Sequence, residues 1–293
     1  MFIGIDHGTT AIRFASETAE FKMSRSEARS FRIHDLTRLS PLDEIEGIAL
    51  CYSMGDNFTA ITPVQRLTNR GIVTREGAGE HVGGGTKVFD EVAGSGIPAV
   101  AIPGIHRGSD TDPRFKIYSH QTSPEKIGIA YLVSHDLGDT FVVSDTSSNT
   151  VTLLVREGRI IGAFDACIFA PGTRHGALDV DAIRRIDSHQ QTANEAFMQA
   201  GVSSTMPEDL QMKTVALFAA MEIASMLLLA KDARVALAGS CAPVIADEVQ
   251  SLIGREIAIY DEWAAARGLS MIARDIAGGN REILGIPVIF DMI

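Results

Sequence analysis

A carboxylate, a glycine and two hydroxyl groups stand together near the start of the chain, directly after a short apolar run. Asp6 ends the run, and Gly8, Thr9 and Thr10 form the turn after it. Arg13 lies in the next apolar run. A carboxylate at the end of a buried strand can hold Mg²⁺, usually through water, while glycine and hydroxyl groups let backbone N–H groups approach phosphate oxygens. A plain β-hairpin is the alternative, but the order of residue types favours a nucleotide-phosphate site.

A second turn of acid and hydroxyl groups follows in the later half of the chain. Asp145 precedes Ser147, Ser148 and Asn149, with apolar runs on both sides. The layout repeats that of the first turn, although residue identity is weak. Asp145 is therefore a second candidate for holding Mg²⁺ and for catalysis. Ser147, Ser148 and Asn149 are candidates for donating hydrogen bonds to phosphate oxygens. Their side chains can also hinder the close backbone approach that glycine would allow.

Two further segments hold candidate catalytic residues. Arg174 lies in a Pro-Gly turn, and a planar guanidinium can bridge two equatorial oxygens of a phosphoryl group during transfer. A surface arginine in an ordinary turn is the alternative for Arg174. The polar segment 104–114 contains Arg107, Asp110 and Asp112 after a predicted strand. These three residues are candidates for lining a cleft, and a solvated loop is the alternative.

The elements that must position these residues are predicted to be those of an α/β protein. The opening hairpin and a third strand over Glu20–Ser24 form a meander, and a short apolar run over 47–53 predicts a buried strand. Strands around Asp145 and over 160–164 repeat this plan. A helix over 125–135 connects the halves, so we predict domains over residues 1–137 and 138–293.

Other segments carry weaker signals. Gly239 and Ser240 follow a predicted buried strand and precede a helix, so they form either a generic turn or a ligand turn. The segment 71–85 is rich in glycine and is typical of a surface loop or a ligand loop. The apolar stretch 215–230, interrupted by Glu222, is too short and too polar for a bilayer span and is predicted to be a core helix.

Composition excludes some classes of function. The chain has 293 residues, of which 45% are hydrophobic and 22% charged, and a net charge of −11. This excess of negative charge argues against binding to nucleic acid or to an anionic membrane. Its three scattered cysteines and the absence of a targeting segment before Phe2 predict a protein of the reducing cytoplasm. A zinc motif such as HExxH is absent.

The turn from Asp6 to Arg13 resembles the first phosphate motif of the superfamily of acetate and sugar kinases, heat-shock chaperones and actin. The Asp145 turn resembles its second phosphate motif, where family members commonly have glycines at the places of residues 147–149. The turn at Gly239 and Ser240 resembles the adenosine motif. The helix over 262–273, which contains Gly268, resembles the terminal helix that packs beside the nucleotide. These pieces occur in family order along nearly the full chain.

Within the superfamily, the resemblance is strongest to acetate kinase and the related butyrate kinase. The segment 172–176 resembles their Gly-Thr-Arg-x-Gly sequence, in which the arginine stabilises charge on the phosphoryl group, and this implies a catalytic role for Arg174. The segment 120–124 resembles their His-Gln-Thr-x-Pro sequence, although the family aspartate just before it has no clear counterpart here. More narrowly, the chain resembles the archaeal methanogenesis marker proteins, number twelve in particular, which implies an accessory role in methane metabolism.

The resemblance implies two ribonuclease H-like domains, as in actin-like ATPases, that face a central cleft and bind ATP with Mg²⁺. Asp6 and Asp145 would hold the metal, and the hydroxyl turns, Arg13, Gly239, Ser240 and Gly268 would bind the nucleotide. The expected activity is phosphoryl transfer to a small carboxylate. The alternatives are an ATPase switch that acts on a protein partner and a degenerate scaffold without catalysis. The sequence leaves a homodimer open and predicts neither a nucleic-acid nor a membrane partner.

Overall fold

The computed structural model describes residues 1–74 and 83–289. The glycine-rich segment 71–85 therefore lies partly outside the described residues. The chain divides into two units, Met1–Asp136 with Trp263–Ile293, and Leu137–Glu262. The first division falls between Asp136 and Leu137, one residue from the predicted boundary. Strands and α-helices are numbered below in chain order across both units.

The first unit is built on a six-stranded sheet of order β3-β2-β1-β4-β6-β5. Its strands are β1 (Phe2–His7), β2 (Ala11–Ala15), β3 (Glu20–Ser24), β4 (Gly47–Leu50), β5 (Thr62–Pro63) and β6 (Ala99–Ala101). The first three strands form an antiparallel meander, and β4 then pairs in parallel with β1 and with β6. Ile3 and Ile5 of β1 and Ile48 and Leu50 of β4 are almost fully buried. These central strands are apolar because both faces of the sheet are covered.

The remaining elements of the first unit surround this sheet. They are β7 (Ile105–His106), β8 (His120–Thr122), β14 (Glu282–Ile283), β15 (Ile286–Pro287), α1 (Gly84–Ala93), α2 (Glu125–Leu137), α8 (Ala264–Ala277) and 3₁₀ helices over Glu27–Ser30, Ile33–Arg38, Leu42–Glu44, Val64–Arg66, Thr68–Gly71 and Pro113–Ile117. Helix α1 ends at Ala93, and Gly94 follows it as the C-cap.

Helix α8 packs on β1, β2 and β4 of the first unit, and this corrects the predicted second domain of residues 138–293. A Cβ atom at Gly4 of β1 would overlap the carbonyl oxygen of Ala266, and one at Gly268 would overlap the backbone of Gly128 in α2. The glycines therefore let α8 approach both neighbours at backbone distance. Residues 263–293 belong to the first unit because the small-residue face of α8 fits these two surfaces.

The second unit is built on a five-stranded sheet of order β11-β10-β9-β12-β13. Its strands are β9 (Phe141–Thr146), β10 (Thr150–Arg156), β11 (Arg159–Phe164), β12 (Arg234–Ala238) and β13 (Ile257–Ile259), and its helices are α3 (Val180–Asp187), α4 (Ala193–Met198), α5 (Val202–Thr205), α6 (Glu208–Leu227) and α7 (Ala242–Ile253). The first three strands again form an antiparallel meander, and β12 pairs in parallel with β9 and β13. This is the strand plan of the first unit, so the predicted α/β fold with two similarly built domains is confirmed.

The longest helix of the second unit, α6, packs on β9, β10 and α7. Val215, Ala219, Ile223 and Met226 are at most 1% exposed on its inner face, as expected of a core helix. Among residues 1–74 and 83–289, α6 is also the one helix whose length and composition would suit a membrane span, and 39% of its apolar window is buried. One such helix is weak support for a membrane span, because core helices pass the same test.

Candidate functional site

The first group of predicted site residues lies where β1 ends. Asp6 is 4% exposed and stands opposite Arg13 in the β1–β2 ladder. The Nη1 atom of Arg13 lies 3.4 Å from Oδ2 of Asp6, so the strand register itself brings the two charges together. The side chain of Cys51, in the loop after β4, lies 4.0 Å from the other carboxylate oxygen. The sheet therefore holds the Asp6 carboxylate in one orientation at the mouth of the turn.

The turn between β1 and β2 contains Gly8, Thr9 and Thr10. Both threonines are exposed. A Cβ atom at Gly8 would come within 2.8 Å of Arg13 Nη1 and 2.9 Å of the Ala11 carbonyl oxygen, which is tighter than ordinary contact. Glycine thus lets the guanidinium lie against the turn. The result is a short, open segment with hydroxyl groups, a cation and a buried carboxylate, and these groups suit a metal-bound phosphate.

His7, between Asp6 and Gly8, is a neighbour of this turn that was not predicted as a site residue. Its ring stacks on Tyr52 at a centroid distance of 5.2 Å, and its buried Nε2 lies against Gly85 near the start of α1. Burial, together with the charge of Arg25, lowers the pKa of His7 to about 3. The imidazole is therefore neutral near pH 7, and its packing supports the turn rather than proton transfer.

The second group lies where β9 ends. Asp145 is 6% exposed, and its Oδ1 accepts a hydrogen bond of 3.0 Å from the Ser147 hydroxyl. That hydroxyl also accepts a hydrogen bond of 3.2 Å from the backbone N–H of Ser240. Gly239 has a φ of +94°, and a Cβ atom there would overlap Asp145 Oδ1 and Ser147 Oγ. The predicted second phosphate turn and the predicted adenosine turn therefore form one hydrogen-bonded structure.

The segment that carries Arg174 is attached to the same turn. The backbone N–H of Thr173 donates to the carbonyl of Ser147 at 2.9 Å, and the N–H groups of Arg174 and His175 both donate to the carbonyl of Ser148 at 3.0 Å. The side chain of Arg174 is exposed. A guanidinium is thus presented from a backbone that is fixed directly on the β9–β10 turn.

Residues in the helical region after Arg174, which contains α3, α4 and α5, contact the Arg174 segment from its other side. The N–H of Gly201 donates to the Arg174 carbonyl at 2.9 Å, and a Cβ atom at Gly201 would overlap the Arg174 backbone. The side chain of His175 is 4% exposed, stacks on Phe197 at 4.7 Å and forms a short hydrogen bond with Asn149. His175 and Gly201 were not predicted as site residues, because their partners lie in distant segments.

The side chains of Ser147 and Asn149 take part in these contacts. The Ser147 hydroxyl is turned onto Asp145 and the Asn149 side chain onto His175. Ser148 is half-buried and binds the next segment through its carbonyl. The side chains of Ser147 and Asn149 therefore stabilise the turn, and both point toward the protein.

Other predicted site residues join neither group. Asp112 begins the 3₁₀ helix over Pro113–Ile117 and forms two hydrogen bonds with the Arg114 guanidinium, at 2.6 and 2.9 Å. Arg107 donates to the carbonyls of Lys116 and Ile117, and Asp110 is exposed in the same segment. Gly268 is buried against α2 in the helix packing described above. The structure thus gives Arg107 and Asp112 local structural contacts, and it places Gly268 in the packing of α8 on α2.

The described residues form no metal centre built by protein side chains alone. Within residues 1–74 and 83–289, no three His, Cys, Asp or Glu side chains cluster closely enough to hold a metal ion. Asp6 lies in the first unit and Asp145 in the second, and each stands beside a turn with hydroxyl groups. A carboxylate in such surroundings can take part in binding Mg²⁺ together with water and the phosphates of a substrate.

Comparison with known proteins gives relatives along the whole chain, while no family model matches it. A UPF0285 protein of Methanosarcina barkeri is 47% identical, and one of Methanosarcina acetivorans is 46% identical. A third, of Methanococcus aeolicus, is 42% identical. In each comparison 98% of this chain and 98% of the relative are covered. All three organisms are methanogens.

Similar solved structures are kinases. A propionate kinase of Francisella tularensis has a TM-score of 0.57 at 12% identity and covers 93% of this chain and 98% of its own. An acetate kinase of Porphyromonas gingivalis has a TM-score of 0.54 at 11% identity, covering 92% and 89%. A putative 2-dehydro-3-deoxygalactonokinase of Sinorhizobium meliloti has a TM-score of 0.51 at 17% identity, covering 94% and 99%. At these identities the likeness shows the fold alone, and the fold is the two-domain α/β fold of these kinases.

Proposed function

We propose that this chain, which belongs to the UPF0285 family, is an ATP- and Mg²⁺-dependent phosphotransferase that acts on a small carboxylate. One observation carries the proposal. The segment with Arg174 is bonded through three backbone N–H groups to the turn after Asp145, so a candidate phosphate turn and an exposed guanidinium are parts of one fixed structure. Phosphoryl transfer relies mainly on such positioning of charge.

The proposed roles follow from the two groups of residues. Asp6 and Asp145 would hold Mg²⁺, which when bound would neutralise charge on the phosphates. Thr9 and Thr10 would donate to phosphate oxygens. The turn at Gly239 and Ser240, where no Cβ atom fits at position 239, would accept the nucleoside against its backbone. Each role uses groups that the fold already holds in place.

Arg174 would act on the phosphoryl group as it moves to the acceptor. Its planar guanidinium can donate to two oxygens at once, and its side chain is exposed while its backbone is fixed. A carboxylate acceptor is supported by the resemblance of the Arg174 segment to that of acetate kinase. Occurrence of the relatives in methanogens supports an accessory role in methane metabolism, and the free thiols of Cys51, Cys167 and Cys241 suit a cytoplasmic location.

A second candidate function is an ATPase that regulates a protein partner. It is favoured by the segment 104–114, whose Arg107, Asp110 and Asp112 were candidates for lining a cleft. There Arg107 donates to two backbone carbonyls and Asp112 is paired with Arg114. An ATPase needs no acceptor pocket, since water is the acceptor, so these local contacts do not weaken that alternative.

Release of ADP and phosphate, followed with MgATP and a series of short carboxylic acids, separates the two candidates. We expect ADP formation to require an acid and to exceed phosphate release, because the phosphoryl group passes to the carboxylate. Trapping with hydroxylamine should then detect the acyl phosphate. Acid-independent release of equal ADP and phosphate would contradict the transferase and favour the ATPase.

A further inference from the structure

The interior of the second unit holds a carboxylate that has no part in the roles above. Glu222 lies in the middle of α6 and is 1% exposed. Its Oε1 accepts a hydrogen bond of 3.1 Å from the backbone N–H of Ala170. Its buried Oε2 has no hydrogen-bond partner within residues 1–74 and 83–289. Burying an ionised carboxylate with an unsatisfied oxygen is costly, so the residue makes the core sensitive to its protonation state.

Ala170 is the first residue of the segment that leads to Arg174. It is fully buried, and the next residue, Pro171, accepts a hydrogen bond of 2.8 Å from the Thr150 hydroxyl through its carbonyl. Beyond it, the segment is fixed on the carbonyls of Ser147 and Ser148. Glu222 therefore anchors the base of the segment in the core, while the β9–β10 turn anchors its tip.

The surroundings of Glu222 oppose its ionisation. Burial is the main cause that raises its pKa, to about 8, and the charge of buried Asp165 raises it further. The nearby Thr152 hydroxyl on β10 and the Ala170 N–H act in the opposite direction and lower the pKa of Glu222. The Thr152 hydroxyl donates to the Ser144 hydroxyl of β9 at 2.8 Å. The carboxyl is therefore neutral near pH 7 and ionises in mildly alkaline solution.

We propose that Glu222 is a positioning residue for Arg174, whose neutral form keeps Ala170 docked in the core and whose ionisation releases the base of the segment to water. The importance of that release for catalysis rests on the proposed function, but the release itself does not. An ionised carboxylate in this place can be hydrated only if α6 and the residues around Ala170 separate. Proton binding and the order of the Arg174 segment are thus coupled.

Amide hydrogen exchange on the full chain without nucleotide tests the coupling at single residues. After correction for the intrinsic rate, protection of the Ala170 amide is expected to fall about tenfold from about pH 7 to about pH 9. The Val143 amide, in the core strand β9, exchanges through global unfolding, so its protection should stay above that of Ala170 at each pH and fall only as far as the free energy of unfolding falls. The Glu222→Gln variant keeps an acceptor for Ala170 and cannot ionise, so its Ala170 amide should show no pH response. Glu248→Gln, an exposed change on α7, serves as the matched control and should behave as the wild type.

Two outcomes would overturn the proposal. One is constant protection of Ala170 in the wild type, and the other is an equal fall in the wild type and in Glu222→Gln. If the variant does not fold, the ¹³C resonance of the Glu222 carboxyl in the wild type replaces it. Its titration midpoint must match that of Ala170 protection, and different midpoints would refute the coupling. Because no step uses ATP, failure here is distinct from failure of the proposed phosphotransferase.

The pH dependence of the free energy of unfolding tests the proposal independently, and the direction of the change is fixed. The pKa of Glu222 is higher in the folded chain, at about 8, than its ordinary value of 4.5. The folded state therefore binds more protons in this window, and the contribution of Glu222 to stability is full below about pH 4.5 and is lost as pH rises through about 8. Urea midpoints should fall more steeply with pH for the wild type than for Glu222→Gln. Parallel pH profiles would contradict the assignment.

Discussion

The turn after Asp6 and the turn after Asp145 occupy the same place in two sheets of the same strand plan, but their surroundings differ. Asp6 faces an arginine across the β1–β2 ladder, and the threonines of its turn are exposed. Asp145 is bonded to a serine that also binds the turn after β12. The turn after Asp6 therefore has exposed hydroxyl groups, whereas the turn after Asp145 is hydrogen-bonded to two neighbouring segments.

The difference shows that the two units use the same strand plan with different contacts around the turn. In the second unit, the carbonyls of Ser147 and Ser148 hold the segment that presents Arg174. In the first unit, the corresponding turn holds an arginine within the adjacent strand. Substitutions in the second turn should therefore disturb both stability and catalysis, while those in the first should affect ligand binding alone.

Replacing Arg174 should have its main effect on the rate of turnover. Arg174→Gln should lower the rate of phosphoryl transfer about a thousandfold, in the range found for arginines that stabilise transferred phosphoryl groups. Its urea midpoint should stay near that of the wild type, because the side chain is exposed. Arg184→Gln, an exposed change on α3, is the control and should retain full turnover. Similar rates for both variants would remove Arg174 from the catalytic group.

The next effect is on folding of the second turn. Gly239→Ala should destabilise the chain by about 3 kcal/mol, since it adds a strained positive φ to an overlap with Asp145 and Ser147. Gly254 has a φ of +65° with open space around it, so Gly254→Ala should cost only about 1 kcal/mol. Urea unfolding measures both values. Equal losses would mean that backbone strain alone explains the requirement for glycine at position 239.

A smaller effect compares the hydroxyl groups of the two turns. Ser147→Ala removes two hydrogen bonds, one to Asp145 and one from the Ser240 N–H, so a loss of about 1–2 kcal/mol is expected. Thr9→Ala changes an exposed side chain, and its effect on stability should stay within about 0.5 kcal/mol. A loss for Thr9→Ala equal to that for Ser147→Ala would show that both turns are structural.

Much of this architecture could be predicted from short-range patterns. Apolar runs and polar turns predicted both meanders, and the third strand over Glu20–Ser24 was predicted with its observed bounds. The position of α8 could not be predicted in this way. Its small residues suit close packing against either sheet, and its contacts with Gly4 and Gly128 join segments that are far apart along the chain.

For the candidate site too, local signals could be predicted from the sequence and contacts between distant segments could not. Asp6, Asp145 and Arg174 were predicted as site residues because strand ends and turn residues leave a local signal in the sequence. Asp112 carried a similar signal, yet it pairs with Arg114 two residues away. Glu222 was visible only as a polar interruption of an apolar helix, and its contact with Ala170 spans 52 residues. Local patterns therefore indicate where polar groups lie, but partners distant in sequence decide their role.

The most direct test of the central claim is titration calorimetry of the full chain with MgATP. Wild-type protein should bind MgATP, and both Asp6→Ala and Asp145→Ala should abolish measurable binding, since the account assigns one metal-holding carboxylate to each turn. The exposed Asp247→Ala change on α7 is the control and should bind as the wild type. Unchanged MgATP binding by either site variant, or no binding by the wild type, would contradict the account.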